Sequence, residues 1–453
     1  TAAKPDTRVL QNVTFTDAEM HDVMAVVGKD LFTDELRETL GQFGQAKNFG
    51  SLIVPKLRDP AETLRVVEAR DFGGDLLLKE VQARVVAVLR MAEALSPKYH
   101  VVVANPPYMG GKGMNTKLGD FAKSEYPDSK IDLFAMFMER SVNLLKRQGF
   151  MAMINMQSWM FLPTFEALRR ELLTTAPPTT VLHLGTRAFD TIGGEVVSTV
   201  AFVLGKGYST TNSADYFRLT DGRSEAQKST LFSAALDPTE PRNIRFSKDA
   251  NQFLILPSAA LAYWVPESVL SAYQNDSISE MFEVEGKNIT SDNERFLRYI
   301  WEVGLTQRGR KKRWLLYSKG GEFRKWAGNL EHVVDWSEPA RSYYKSHSSG
   351  RLIPKDYWYR EGVTWSPIST KKSGFRYLPV DTTFDTKGLA VFPVTSKAAS
   401  VLLGALNSPF SKVALEIANP TMSINLFDVK TVPAPAVDVA TTACKVVERL
   451  VSL

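Results

Sequence analysis

The 453-residue chain has a single cysteine, Cys444. One thiol closes no internal disulfide, and with no CxxC pair and no Cys/His cluster there is no metal site of structural-zinc spacing. A reducing, cytoplasmic setting is the expectation. Long apolar runs are also missing. None approaches the roughly 18 to 20 residues of a bilayer span, and the opening TAAKPDTRVL lacks a basic stretch followed by an apolar one, so no membrane role is expected. The first residue is Thr1 rather than Met, which leads us to expect a longer natural chain.

What is present is an ordinary globular composition, 44% hydrophobic, long enough for two or three domains with cores of their own. Net charge is only +5, but it is unevenly spread: between Arg295 and Lys372 stand 17 Lys and Arg against seven Asp and Glu, with six of the eight tryptophans. Two readings stay open. Basic residues interleaved with aromatics suit a nucleic-acid surface, where cations neutralise phosphates and flat rings pack on sugars and bases. The same pattern suits a solvated charged face over a Trp-rich core.

The first half alternates. Residues 75 to 95 place apolar side chains at helical spacing, and HVVVA (100 to 104) is a short continuous apolar strand. A helix then runs from a cap at Ser129 to a stop at Gly149, with basic residues in its last turn. Further strands are expected at 150 to 159, 180 to 185 and 196 to 207, with a helix at FEALRRELL. Alternation of this kind predicts an α/β fold with a mostly parallel sheet and helices on both faces. In such sheets ligands bind beyond the carboxyl ends of the strands.

At that position HVVVA runs into Asn105, Pro106, Pro107 and Tyr108. The two prolines fix φ near −65° and hold the backbone rigid and extended. Asn105 offers an amide oxygen and Pro106 a carbonyl, two acceptors aimed from one stiff turn. Tyr108 offers a ring face for stacking. Together they describe a clamp for an NH2 group on a flat ring or planar amide.

NPPY after a hydrophobic strand resembles the catalytic motif of S-adenosyl-L-methionine-dependent amino-methyltransferases. That resemblance implies that Asn105, Pro106, Pro107 and Tyr108 are catalytic, with Tyr108 stacked on a base flipped out of double-stranded DNA. It also implies a second stacking ring, Phe189, in the loop of GTRAFDTIGGEVVSTVAFV. The later blocks EVEGKNITSDNERFLRYIWEV, YSKGGEFRKWAGN, EGVTWSPIS, FRYLP and LLGALNSPFSKVAL resemble the specificity region of the single-chain adenine DNA methyltransferases of BREX phage-defence systems. By resemblance the fold is a Rossmann-like methyltransferase sheet followed by an α+β DNA target-recognition domain. The segments expected are a mostly helical lead-in at 1–98, the C-terminal part of the methyltransferase domain at 99–245, and the recognition domain at 246–453. The implied activity is site-specific N6-adenine methylation that marks host DNA as self, with other phage-defence proteins as partners.

Within the last segment Arg308, Arg310, Lys311, Lys312 and Arg313 form the densest basic run. With Arg324, Lys325 and Arg351 they are the expected DNA contacts, most of them to phosphate. The resemblance also calls for a Gly-rich cofactor loop ahead of NPPY, and none is found between Thr1 and Ala104. The expectation is therefore the C-terminal part of a larger enzyme, with the catalytic motif but without the main cofactor-binding loop. Two relatives of this reading remain: the methyltransferase and specificity half of a fused restriction-modification enzyme, and a non-catalytic DNA reader. Outside it stand a protein glutamine methyltransferase and a nuclease built on Asp276, Glu285 and Lys287.

Overall fold

The helix Leu76–Leu95 shows how the lead-in segment forms. Asp75 caps it by accepting the Leu78 N–H at 3.1 Å. Val81, Val85, Val88, Leu89 and Ala92 repeat at three- and four-residue spacing and are buried. They meet Val23, Val26 and Val27 of the helix Met20–Val27 and Val67 of the helix Pro60–Glu68 in one core. In this computed structural model the described residues are 9–190, 197–237, 244–284, 287–368, 374–394, 398–419, 423–435, 447 and 451. The chain divides into two compact units, 1–160 with 164–251, and 161–163 with 252–453.

In the first unit six strands form one sheet: β1 (Tyr99–Ala104), β2 (Leu145–Met156), β3 (Pro178–Gly185), β4 (Thr199–Gly205), β5 (Ser213–Arg218) and β6 (Arg245–Asp249). Their order is β1-β2-β4-β3-β5-β6. The sheet is mixed, not mostly parallel as expected. β1 runs parallel to β2 and β3 to β5, but β4 is antiparallel to both its neighbours and β6 to β5. The reason lies between β3 and β4, where the described residues contain no helix to carry a parallel crossover.

Two boundaries also differ. The helix before β2 is Leu133–Leu144, capped by Asp132 rather than Ser129; buried Ser129 instead donates to the Glu139 carboxylate at 2.6 Å. Lys146 and Arg147, expected in its last turn, lie in β2, because Leu145 is already extended. Gly149 is not a helix stop but a point of close approach: a Cβ there would meet the His100 carbonyl at 2.9 Å. Buried Arg140 ties this helix to the lead-in segment, donating to the carbonyls of Ser51 and Ile53 at 3.1 Å and of Leu95 at 2.7 Å. Three carbonyl partners offset much of the cost of burying a guanidinium.

Helices were expected on both faces of the sheet. One face, with Val102, Met151, Met153, Val200, Phe202 and Val181, is covered, the helix Leu133–Leu144 packing on β1 and β2. On the other, Val101 is 57% and Val103 73% exposed. Beside them Ala152, Ile154, Leu182, Ala201 and Val203 line an apolar hollow of about 400 Å³. β1 has one strand neighbour among the described residues, so an apolar edge and an apolar face lie open together.

The second unit holds two four-stranded sheets. One has the order β13-β9-β10-β8, from β8 (Leu297–Tyr299), β9 (Trp314–Ser318), β10 (His332–Asp335) and β13 (Thr382–Phe384). The other is β12-β11-β14-β7, from β7 (Phe282–Glu283), β11 (Gly362–Trp365), β12 (Phe375–Leu378) and β14 (Leu389–Pro393). Trp314, Trp336 and Trp365 are buried in their cores. For these three tryptophans the core reading of the basic segment is the correct one. Among the described residues no single helix is long and apolar enough to cross a membrane.

Candidate active site

β1 delivers Asn105 to Tyr108 to the end of the sheet where β2 also finishes, since the two are parallel with Ala104 opposite Met153. Pro106 is buried, while Asn105 and Pro107 are exposed. The buried imino ring anchors the turn and leaves the amide outward. Neither the Asn105 carboxamide nor the Pro106 carbonyl makes a hydrogen bond among the described residues. Both acceptors are unspent.

Tyr108 is half-buried, its ring edge-on to Phe134 at 6.3 Å and its hydroxyl 3.4 Å from the Ile154 carbonyl of β2. Burial pushes its phenol above the ordinary range, so it stays protonated at neutral pH. Asp132 staples the chain just beyond Tyr108. Its carboxylate accepts the Met109 N–H at 3.0 Å and caps the next helix through the Phe134 N–H at 3.3 Å, while Leu133 N–H donates to the Met109 carbonyl at 3.0 Å. Asp132 was not singled out from the sequence. A cap one turn later than Ser129 was the signal available.

Around the same rim lie polar groups that sequence reasoning also missed. Asn155 near the end of β2 is fully buried, and neither of its amide atoms has a hydrogen-bond partner among the described residues; Thr199 Oγ1 of β4 is likewise unpartnered. His183 of β3 meets the Gln157 carboxamide at 2.7 Å. Burial, with Arg218 and Lys228 adding to it, lowers its pKa to about 4, so the ring is neutral at pH 7. Phe189 is half-buried after β3 and makes no ring contact among the described residues. The IGGE stretch beyond it lies outside those residues, as does Glu285 of the nuclease alternative.

For a ribose-bearing cofactor the hollow beside β1 supplies two polar side chains, Asn105 and Thr180, and no carboxylate. By themselves these residues do not fit S-adenosyl-L-methionine.

The expected DNA contacts lie in the second unit and differ in how they are used. Arg308 to Arg313 form a tight turn into β9, closed by Gly309 N–H on the Trp314 carbonyl at 2.8 Å, with Lys311 at φ 63°. Arg313 is engaged with Asp335 at 2.8 Å, and Arg310 covers the Tyr359 ring at 5.2 Å. Lys311, Lys312 and Arg324 are exposed. Lys325 reaches the Asn407 carbonyl at 3.3 Å, and Arg351 donates to the Ser348 and Gly350 carbonyls.

Comparison with known proteins places these features in a family context. Residues 70–189, which hold the helix Leu76–Leu95, β1, NPPY, β2 and β3, match the Eco57I restriction-modification methylase family. The adenine-specific methyltransferase BrxX of Escherichia coli O9:H4 (strain HS) is 36% identical over 408 residues, 88% of this chain and 33% of that protein. The adenine-specific methyltransferase PglX of Lacticaseibacillus casei (strain Zhang) is 34% identical over 447 residues, 93% of this chain and 37% of that protein. The chain is homologous to BrxX and PglX. It spans about a third of the length of these curated relatives. Among solved structures, the Type IIL restriction-modification enzyme MmeI in complex with DNA aligns over 96% of this chain and 70% of its own, at 11% identity and TM-score 0.45.

Proposed function

We propose that the chain is part of a site-specific DNA N6-adenine methyltransferase that marks host DNA as self in a BREX-type phage-defence system, with S-adenosyl-L-methionine as methyl donor. The observation that carries this reading is the pair of unspent acceptors on a proline-stiffened turn at the end of β1, in a homologue of named adenine-specific methyltransferases. In it, Asn105 Oδ1 and the Pro106 carbonyl accept the two hydrogens of the adenine amino group and orient its nitrogen. Tyr108 stacks on the flipped ring, and that contact offsets part of the few kcal/mol that flipping costs. The buried proline and the Asp132 staple keep the acceptors in place before substrate arrives, so little ordering remains to be done on binding.

Residues 99–245 are on this reading the C-terminal part of a Rossmann-like methyltransferase domain, and 246–453 a target-recognition domain contacting double-stranded DNA through some of Arg308, Arg310, Lys311, Lys312, Arg313, Arg324, Lys325 and Arg351. Phe189 is kept as the second stacking ring. The bare face and open edge of β1 support a cofactor pocket completed by polypeptide outside this sequence. The test is sequencing of modified bases in DNA from cells carrying the full-length gene, with and without Asn105→Ala. Loss of N6-methyladenine at one class of site supports the proposal; unchanged methylation with Asn105→Ala removes Asn105 from the chemistry.

A further inference from the structure

The segment that carries the positive charge buries three of its six tryptophans and half-buries two but leaves Trp301 70% exposed. An indole in water is costly when a core is available nearby, since an aromatic ring buries ~150 to 250 Å² once it finds one. Trp301 is nevertheless held in place. Its ring stacks on Tyr299 with centroids 4.5 Å and planes 6° apart. Tyr299 rests on His332 at 4.9 Å, its direct cross-strand partner between β8 and β10. The Glu302 carboxylate accepts the Tyr299 N–H at 2.5 Å and fixes the turn that carries Trp301. The platform is ordered before any partner arrives, which removes an entropic cost from binding.

Beside the stack lies a cleft of about 390 Å³ whose polar and aromatic lining is Asn293, Glu294, Arg298, Tyr299, Glu302, Lys319 and His332. Arg298 is braced by the carbonyls of Glu294, Arg295 and Leu297, which hold its guanidinium at the cleft. Lys319 makes no hydrogen bond or ion pair among the described residues, and its backbone is constrained. It precedes Gly320 and Gly321, at φ 81° and 121°, where a Cβ on Gly320 would collide with the Lys387 carbonyl at 2.1 Å. Of the nearby carboxylates, Glu302 is occupied by the Tyr299 backbone and Asp385, which also acts on Lys319, by the Lys387 and Gly388 N–H groups; Glu331 acts on His332, and Glu294 lines the cleft beside Arg298 and Lys319. Flat rings flanked by fixed positive charge, in a segment with a large cationic excess, match a polyanion that has planar groups.

We infer that the Tyr299–Trp301 stack and the adjoining cleft form a contact for duplex DNA, with backbone phosphate at Lys319 and Arg298 and the Trp301 ring against sugar or base. This rests on the reading that the chain acts on DNA and names a surface for it apart from the basic turn at 308 to 313. The test uses the full-length protein and a fluorescently labelled duplex, with anisotropy titrations at several salt concentrations and thermal midpoints as a folding control. Trp301→Ala is expected to weaken binding by up to about tenfold with the salt slope unchanged. Lys319→Met is expected to flatten the slope of log K against log salt by about one. Unaltered affinity in Trp301→Ala, or an unaltered slope in Lys319→Met, overturns the inference when the parent protein binds duplex normally. So does loss of a protein partner with DNA affinity intact, which would make the stack a protein-docking site. A parent protein that binds no duplex sinks the DNA reading itself.

Discussion

Replacing Asn105 with Ala separates its role in the fold from its role in chemistry. The side chain is exposed and makes no hydrogen bond among the described residues, so its removal should change unfolding free energy by no more than about 0.5 kcal/mol, the usual range for such surface positions. Its place in the proposed clamp is different. One of two acceptors that orient the reacting amine would be lost, and deleting a preorganised hydrogen-bonding group of this kind costs roughly a hundred- to a thousandfold in turnover, about 3 to 4 kcal/mol of barrier. The assay is methyl transfer to duplex DNA by the full-length protein, run beside urea unfolding of the same preparations. Turnover within tenfold of the parent would refute the clamp. A stability loss above about 1 kcal/mol would show that the amide is structural, contrary to its unspent state.

The rim of the sheet yields further expected outcomes. His183 is held neutral, its pKa lowered from 6.5 to about 4, so the folded state binds fewer protons than the unfolded state between those values. Its contribution is fully present above pH 6.5 and is lost as pH falls toward 4; about 3 kcal/mol rides on it, and His183→Gln should flatten that part of the stability profile in denaturant titrations. Asn155→Leu should raise the thermal midpoint, because burying an amide with neither atom paired costs about 1 to 3 kcal/mol; a lowered midpoint would mean the amide has a partner in the folded protein. Asp132→Ala removes a helix cap worth about 1 kcal/mol and releases the Met109 amide. Hydrogen exchange at Met109 should accelerate well beyond that of β2, and equal protection would show that Asp132 does not pin the loop.

Much of the site was legible because its cause is local. Two consecutive prolines stiffen any chain, an apolar run before them forms a strand, and a carboxamide at its end has no means of folding back. From residue 75 to β3 most of the order of helices and strands was readable for the same reason, since side-chain periodicity depends on neighbours a few residues away, but the helix Thr116–Glu125 was not read from the sequence. Helix caps were less so. Ser129 and Asp132 both qualify by type, and the choice fell to Asp132 because its carboxylate reaches a loop that the sheet brings alongside.

What the sequence by itself determined is the NPPY turn, its strand and the homology it carries, all set by residue type and short spacing. What only the tertiary structure decided is which groups are spent. The sheet became mixed because a strand returned between β2 and β3 without a helix to cross over. Trp314, Trp336 and Trp365 went into cores while Trp301 stayed in water, although all four look alike in the sequence. Arg313 was taken by Asp335 while Lys319 lines a cleft without a direct ion pair among the described residues, a division no charge count contains. Burial and pairing depend on partners distant along the chain, and those are chosen only when the chain packs.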